Sequence, residues 1–193
     1  MRLGLVAGLV ALMWLATLVN LVLLGGRWFA LGVRSHDPNG FWPNLLVAPW
    51  LHVGWAHLVA NTVPFLVLGG LVAVRSTTQF VVVTLAGMVG SGLVAWLLGP
   101  TGSVHVGASG LVFAYFGWLI ARAFRERSLL AIAIGAVVGM VYGSVLLGLS
   151  PFQTGISWEA HLGGLLAGVA AAQIGGRKKA ALSTGYERGR RGM

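Results

Sequence analysis

Six stretches of apolar residues, most of them about the length of a bilayer-crossing helix, alternate along this chain with shorter polar segments. They run over residues 3–24, 51–74, 80–98, 106–121, 128–149 and 158–176. The pattern predicts an all-α membrane protein, a bundle of six transmembrane helices over residues 1–176, followed by a polar tail over 177–193. The fourth stretch is short, which predicts that it begins below the membrane surface. The first has only Arg2 ahead of it and no small-residue cleavage signal behind it, so it reads as a retained helix rather than a signal peptide.

Composition agrees with the pattern. Hydrophobic residues make up 57% of the 193 and charged residues only 9%, against about 25% charged in a soluble domain. There is no cysteine, which excludes disulfides, a thiol nucleophile and a thiolate-bound metal. The formal net charge of +9 could suggest nucleic acid, but in a membrane chain basic loops facing anionic lipid account for it better. The expected partners are therefore membrane lipids and no nucleic acid. Six spans place both ends of the chain on one side. That side would hold Arg2, Arg75, Arg122, Arg125 and Arg127 with six basic residues of the tail, Arg177, Lys178, Lys179, Arg188, Arg190 and Arg191. The other side would hold only Arg27 and Arg34. The asymmetry predicts cytoplasmic termini. The tail reads as a disordered topology signal that can also meet anionic lipid. The long loop over 25–50 carries Trp28, Phe29, Phe41, Trp42 and Trp50, a density that suits the membrane interface.

Against this apolar background a few polar residues fall at one depth. In the predicted topology the second, fourth and sixth spans run in the same direction, from outside to inside. Ser109 and His161 each lie a few residues inside their spans, about 5 Å below the helix starts at 1.5 Å per residue. His57 and Asn61 are four residues apart in the second span, hence on one helix face. Polar groups at membrane depth face a bundle interior or a cavity, so these four can converge. Each has a plainer reading alone: a serine bonding its own helix, a His–Asn pair packing two helices. Gly107, Ala108 and Gly110 leave the backbone beside Ser109 uncovered, and a helix start offers free N–H groups to a developing oxyanion. Ala160, Gly164 and Gly168 recur at a spacing of four, which permits close approach of the sixth helix to the fourth. The acidic residues are Asp37, Glu126, Glu159 and Glu187, and none is well placed to orient the imidazole. Glu159, two residues from His161, is expected on roughly the opposite face. The chemistry this allows is a Ser–His dyad, with serine as nucleophile and histidine as general base and then acid.

"GASG" at 107–110, "HLVAN" at 57–61 and "AHLGGLLAG" at 160–168 resemble the GxSG, HxxxN and AHxxGxxxG motifs of the rhomboid intramembrane serine proteases, in the same order and on the same helices. The resemblance implies a six-helix rhomboid bundle, Ser109 as nucleophile and His161 as base. It implies an oxyanion hole from His57, Asn61 and the Ser109 N–H. It further implies Phe113 packed on the histidine, His52 in a structural role, and a fifth span that gates substrate entry together with the loop over 150–157. Substrates would be transmembrane proteins cut near the external face, without metal or other cofactor, by a multi-pass enzyme of a bacterial inner membrane. One departure stands out: where many rhomboids have Trp-Arg or Tyr-Arg in the first long loop, this chain has Trp42-Pro43. His105 is outside the family pattern and reads as a loop residue that could line the water route.

Rival readings are weaker. A non-catalytic relative that binds or escorts membrane helices is expected to lack Ser109 or His161, and both are present. A channel or transporter would need more polar residues at comparable depth in the other spans. A zinc protease would need HExxH or a comparable ligand set.

Overall fold

A computed structural model describes the backbone of residues 2–39 and 41–190, with side chains through residue 174. The chain is helical. Among the described residues, four helical stretches are long and apolar enough to cross a membrane: Arg2–Leu23, Trp55–Arg75, Thr77–Leu98 and Leu129–Leu149. The first consists of α1 (Arg2–Leu18) and a wider π turn over Val19–Leu23. The second is α3 (Trp55–Pro64), a π turn over Phe65–Gly69, and α4 (Gly70–Arg75). Pro64 has no N–H to give, and the span continues past it through the π turn without breaking. The third is α5 (Thr77–Leu98), started by Ser76, whose side chain accepts from the Gln79 N–H at 3.3 Å. The fourth is α7 (Leu129–Tyr142), capped in the same way by Ser128 and extended by a 3₁₀ segment over Gly143–Leu149.

The other two expected spans form the centre of the bundle. These are α6 (Ser109–Glu126) and α8 (Trp158–Arg190). They carry the polar residues, Arg122, Arg125 and Glu126 in α6 and Glu159, His161 and Gln173 in α8, and so fall outside the strongly apolar set. Residues Gly110 through Leu119 of α6 are buried without interruption, as expected of a helix surrounded by others. The last helix runs past the boundary at 176 expected for the bundle, and the side chains of the expected basic tail lie outside the described residues.

Glycine lets α8 lie against α5 and α6. A Cβ on Gly164 would collide with the Gly110 carbonyl, one on Gly168 with the Ala114 carbonyl, and one on Gly163 with the Gly90 carbonyl. Close approach of this kind replaces the hydrophobic effect as the driving force where lipid is the solvent. At one end of the bundle Arg2 donates to the Val74 carbonyl at 2.6 Å, Glu126 pairs with both Arg75 and Arg122, and both guanidiniums lie over the Trp118 ring.

The long loop over 25–50 is built from short elements. It holds a 3₁₀ turn (Arg27–Leu31), the strand β1 (Val33–Arg34), α2 (Phe41–Val47) and a second 3₁₀ turn (Ala48–Trp50). Strand β1 pairs antiparallel with β2 (Val104–His105), Val33 opposite His105, so this short ladder is an addition to an otherwise all-α fold. Trp42-Pro43 lies in α2, which is anchored by other residues. Leu45 is buried against Gly92, Phe41 lies 5.3 Å from the Trp96 ring, and Asn44 donates to the Gly32 carbonyl at 3.0 Å.

Candidate active site

Ser109 is the first residue of α6, not a residue several positions inside it. Gly107 is the cause: its φ of +114° lies outside helical conformation and turns the chain just before the helix. The helix therefore begins low, and the serine sits at its open end. The N–H groups there are accounted for one by one. Gly107 donates to the Ala48 carbonyl at 2.9 Å, Ala108 to His52 Nε2 at 3.4 Å, and Leu111 to the Ala108 carbonyl at 2.9 Å. The N–H groups of Ser109 and Gly110 have no acceptor among the described residues. His52 is fully buried, its Nδ1 3.4 Å from Thr17 Oγ1, and so ties this turn to α1.

His161 occupies the first turn of α8. Its Nε2 is 2.9 Å from Ser109 Oγ, and its Nδ1 is 2.8 Å from the Gly148 carbonyl oxygen. A carbonyl can only accept, so Nδ1 carries the proton, and in the neutral ring Nε2 keeps a lone pair for the serine hydroxyl. The Phe113 ring stacks on the imidazole at 4.3 Å and 11°. The imidazole is thus fixed by a backbone carbonyl and an aromatic face, and the carbonyl comes from the 3₁₀ segment after α7.

Three further residues bear on the site. Glu159 is buried and lines the same cavity as His161, although no hydrogen bond joins the two. At a helix start an open cavity admits residues from both sides, so sharing the cavity does not place Glu159 on the His161 face. His105 does line the cavity, and it is also hydrogen-bonded to Ser35, Ser103 and Ser157. The serine-rich surroundings are the one signal in the sequence, and they are dispersed over three segments. Gly148 was missed altogether, since a carbonyl acceptor has no side-chain signature.

His57 and Asn61 share one face of α3, as their spacing requires, and Asn61 Nδ2 donates to the His57 carbonyl at 2.9 Å. The His57 ring lies directly over Gly107: a Cβ there would sit 2.6 Å from Cε1 and 2.8 Å from Nε2. Its Nδ1 is buried and has no partner among the described residues. Ser109, His161, His57, Asn61 and Phe113 all line one open cavity of about 600 Å³, covered in part by Gln153, Ile156 and Ser157 of the loop before α8. The described residues contain no group of three or more His, Asp or Glu placed to hold a metal ion. The arrangement can polarise a hydroxyl toward an imidazole, present it to an open cavity, and offer uncommitted N–H groups to an adjacent oxygen.

A family model described as Rhomboid domain matches residues 39–178. A Mycobacterium tuberculosis protein described as uncharacterized is 40% identical over 173 residues, covering 86% of this chain and 71% of that protein. Rhomboid protease GluP of Bacillus subtilis is 31% identical over 154 residues, which is 78% of this chain and 30% of GluP. Putative rhomboid protease YdcA of the same organism is 31% identical over 136 residues, 67% of this chain and 65% of its own length.

Proposed function

This chain belongs to the rhomboid family, and on that footing we propose that it is an intramembrane serine endopeptidase acting through a Ser109–His161 dyad. The observation that carries the reading is the 2.9 Å contact between Ser109 Oγ and His161 Nε2, together with the proton held on Nδ1 by the Gly148 carbonyl. In the acylation step Oγ attacks the scissile carbonyl carbon while its proton passes to Nε2. The tetrahedral oxyanion is met by the Ser109 N–H, His57 and Asn61. Collapse breaks the C–N bond, and the imidazolium returns its proton to the leaving amine. Water then repeats the sequence to release the acid and restore the serine. Each step uses groups of this chain and water alone.

The substrates are proteins with a transmembrane helix, cut where the helix is easily unwound near the external face. The segment over 143–149 and the loop over 150–157 cover the cavity and are the route by which such a helix enters. All six expected spans cross the membrane, α6 and α8 as the polar central pair. The clustering of Arg2, Arg75 and Arg122 at one end of the bundle supports cytoplasmic termini in a bacterial inner membrane. The basic tail then faces anionic lipid. A non-catalytic escort role is disfavoured because both members of the dyad are present and within hydrogen-bond distance.

The test is cleavage of a reporter bearing a Gly/Ala-containing transmembrane helix by the purified full chain in proteoliposomes. Ser109→Ala and His161→Ala are expected to abolish cleavage. Parent-like cutting by either variant rejects the dyad.

A further inference from the structure

A second polar cluster at the outer end of the bundle is unused by the dyad chemistry. His105, four residues ahead of Ser109, has both ring nitrogens engaged. Its Nε2 is 2.8 Å from Ser35 Oγ and 2.9 Å from Ser103 Oγ. Those hydroxyls donate elsewhere, Ser35 to the Ala95 carbonyl and Ser103 to the Pro100 carbonyl. Toward the ring they can only accept, so Nε2 carries the proton and Nδ1 the lone pair. Ser157 Oγ, 2.6 Å from Nδ1, is the donor there. Ser157 also starts α8: its Oγ accepts from the Ala160 N–H at 3.4 Å, and its carbonyl accepts from the His161 N–H at 3.1 Å. One hydroxyl therefore joins the strand that leads into the serine to the turn that carries the histidine.

The place of this bond gives it a consequence. Below the dyad the separation of α6 and α8 is set by glycine, Gly164 on the Gly110 carbonyl and Gly168 on the Ala114 carbonyl. Beside the dyad the Ala160 carbonyl also lies close to Gly110. Apart from the Ser109–His161 pair itself, His105–Ser157 is the one hydrogen bond that joins residues 99–109 to residues 150–161 among the described residues. The buried Glu159 carboxylate, 3.4 Å from Ser157 Oγ, can only accept and so competes for the same hydroxyl proton over a longer contact than His105 Nδ1. An error of about 1 Å between nucleophile and base is enough to cost orders of magnitude in rate.

We propose that His105 is a positioning residue, which acts through Ser157 to hold the first turn of α8 in register with Ser109. The proposal rests on the protease reading. Its test uses a serine-reactive fluorophosphonate probe on the full chain in detergent, because the labelling end-point counts intact sites while the rate reports on activation of the serine. His105→Ala is expected to reach the parent's end-point about tenfold more slowly, with the half-saturating probe concentration unchanged. His105→Asn places an acceptor at the Nδ1 position and is expected to recover most of the rate. The double variant His105→Ala with Ser157→Ala is expected to be no slower than the slower single one, as for residues acting on one path. A parent-like rate for His105→Ala overturns the proposal. So does a reduced end-point at unchanged rate, a change confined to half-saturation, or equal rates for the Ala and Asn variants. Parent protein that fails to label, or labelling that survives Ser109→Ala, overturns the protease reading and this proposal with it.

Discussion

Gly107→Ala tests how the oxyanion side of the site is built. Two costs can be worked out separately. The first is backbone strain: φ at this position is +114°, where a residue with a Cβ costs about 1–3 kcal/mol. The second falls on His57. The added Cβ would sit 2.6 Å from Cε1 and 2.8 Å from Nε2, whereas carbon contacts are comfortable at about 3.5–4.0 Å. The ring must therefore retreat by about 1 Å. Losing one oxyanion donor typically costs about 10²–10³ in rate, so the expected result is a drop of about 10²-fold in reporter cleavage with a lowered thermal midpoint. The two routes are separated by repeating the substitution in a His57→Ala background. There only the strain remains, and Gly107→Ala is expected to cost less than about tenfold in rate. A parent-like rate for Gly107→Ala refutes the placement of His57 over this glycine as functional. A full 10²-fold loss in the His57→Ala background refutes the route through His57 and locates the damage in the serine turn itself.

Three further outcomes are expected. Asn61→Ala should slow reporter cleavage by about 10²-fold or less while Ser109→Ala abolishes it, because His57 and the Ser109 N–H remain as donors; equal loss would make Asn61 structural. Gly164→Val forces α8 away from the Gly110 carbonyl and should lower stability by about 1–3 kcal/mol, read as a reduced thermal midpoint together with lost cleavage; an unchanged midpoint contradicts the close contact. Burial lowers the pKa of His105, outside the spanning helices in β2, and Glu159 behind Ser157 only partly opposes this. The unfolded chain then binds more protons below the ordinary value of about 6.5, so stability should fall as pH drops through that value and below. His105→Asn should remove that part of the acid slope, and identical pH profiles for parent and variant would contradict it.

The features legible in the sequence were those that repeat locally. Hydrophobic runs marked the spans, and the spacing of Gly164 and Gly168 marked the face that α8 turns to α6. Ser109 and His161 were paired by counting residues along parallel spans, although α6 starts at Ser109 itself and so the count set the serine too far into its helix. What was not legible depends on tertiary register or on backbone. The β1–β2 ladder that brings His105 beside Ser35 links residues about 70 apart through two residue pairs, too short to leave a pattern. The start of α6 was placed three residues early because an apolar run does not reveal that Gly107 adopts a positive φ. The burial of Glu159 beside the cavity was not legible either, because helical periodicity says nothing of the open end where a cavity meets the first turn.

The device that orients His161 also has a physical reason to be a carbonyl rather than a carboxylate. A carboxylate beside the imidazole would stabilise the imidazolium during catalysis, but in an apolar bundle an ionised group costs several kcal/mol to desolvate. The Gly148 carbonyl fixes the same tautomer without a charge, and the stacked Phe113 ring fixes the plane without any polar group. What the carbonyl gives up is direct contact between a charge and the base, and the buried Glu159, in the same cavity but not hydrogen-bonded to His161, does not restore that contact; on the proposed reading catalysis then depends more on geometry. On the proposed roles, that dependence gives a reason to hold α6 and α8 from both ends: by glycine contacts below the dyad, where hydrogen-bonding side chains would be costly, and by His105 and Ser157 above it.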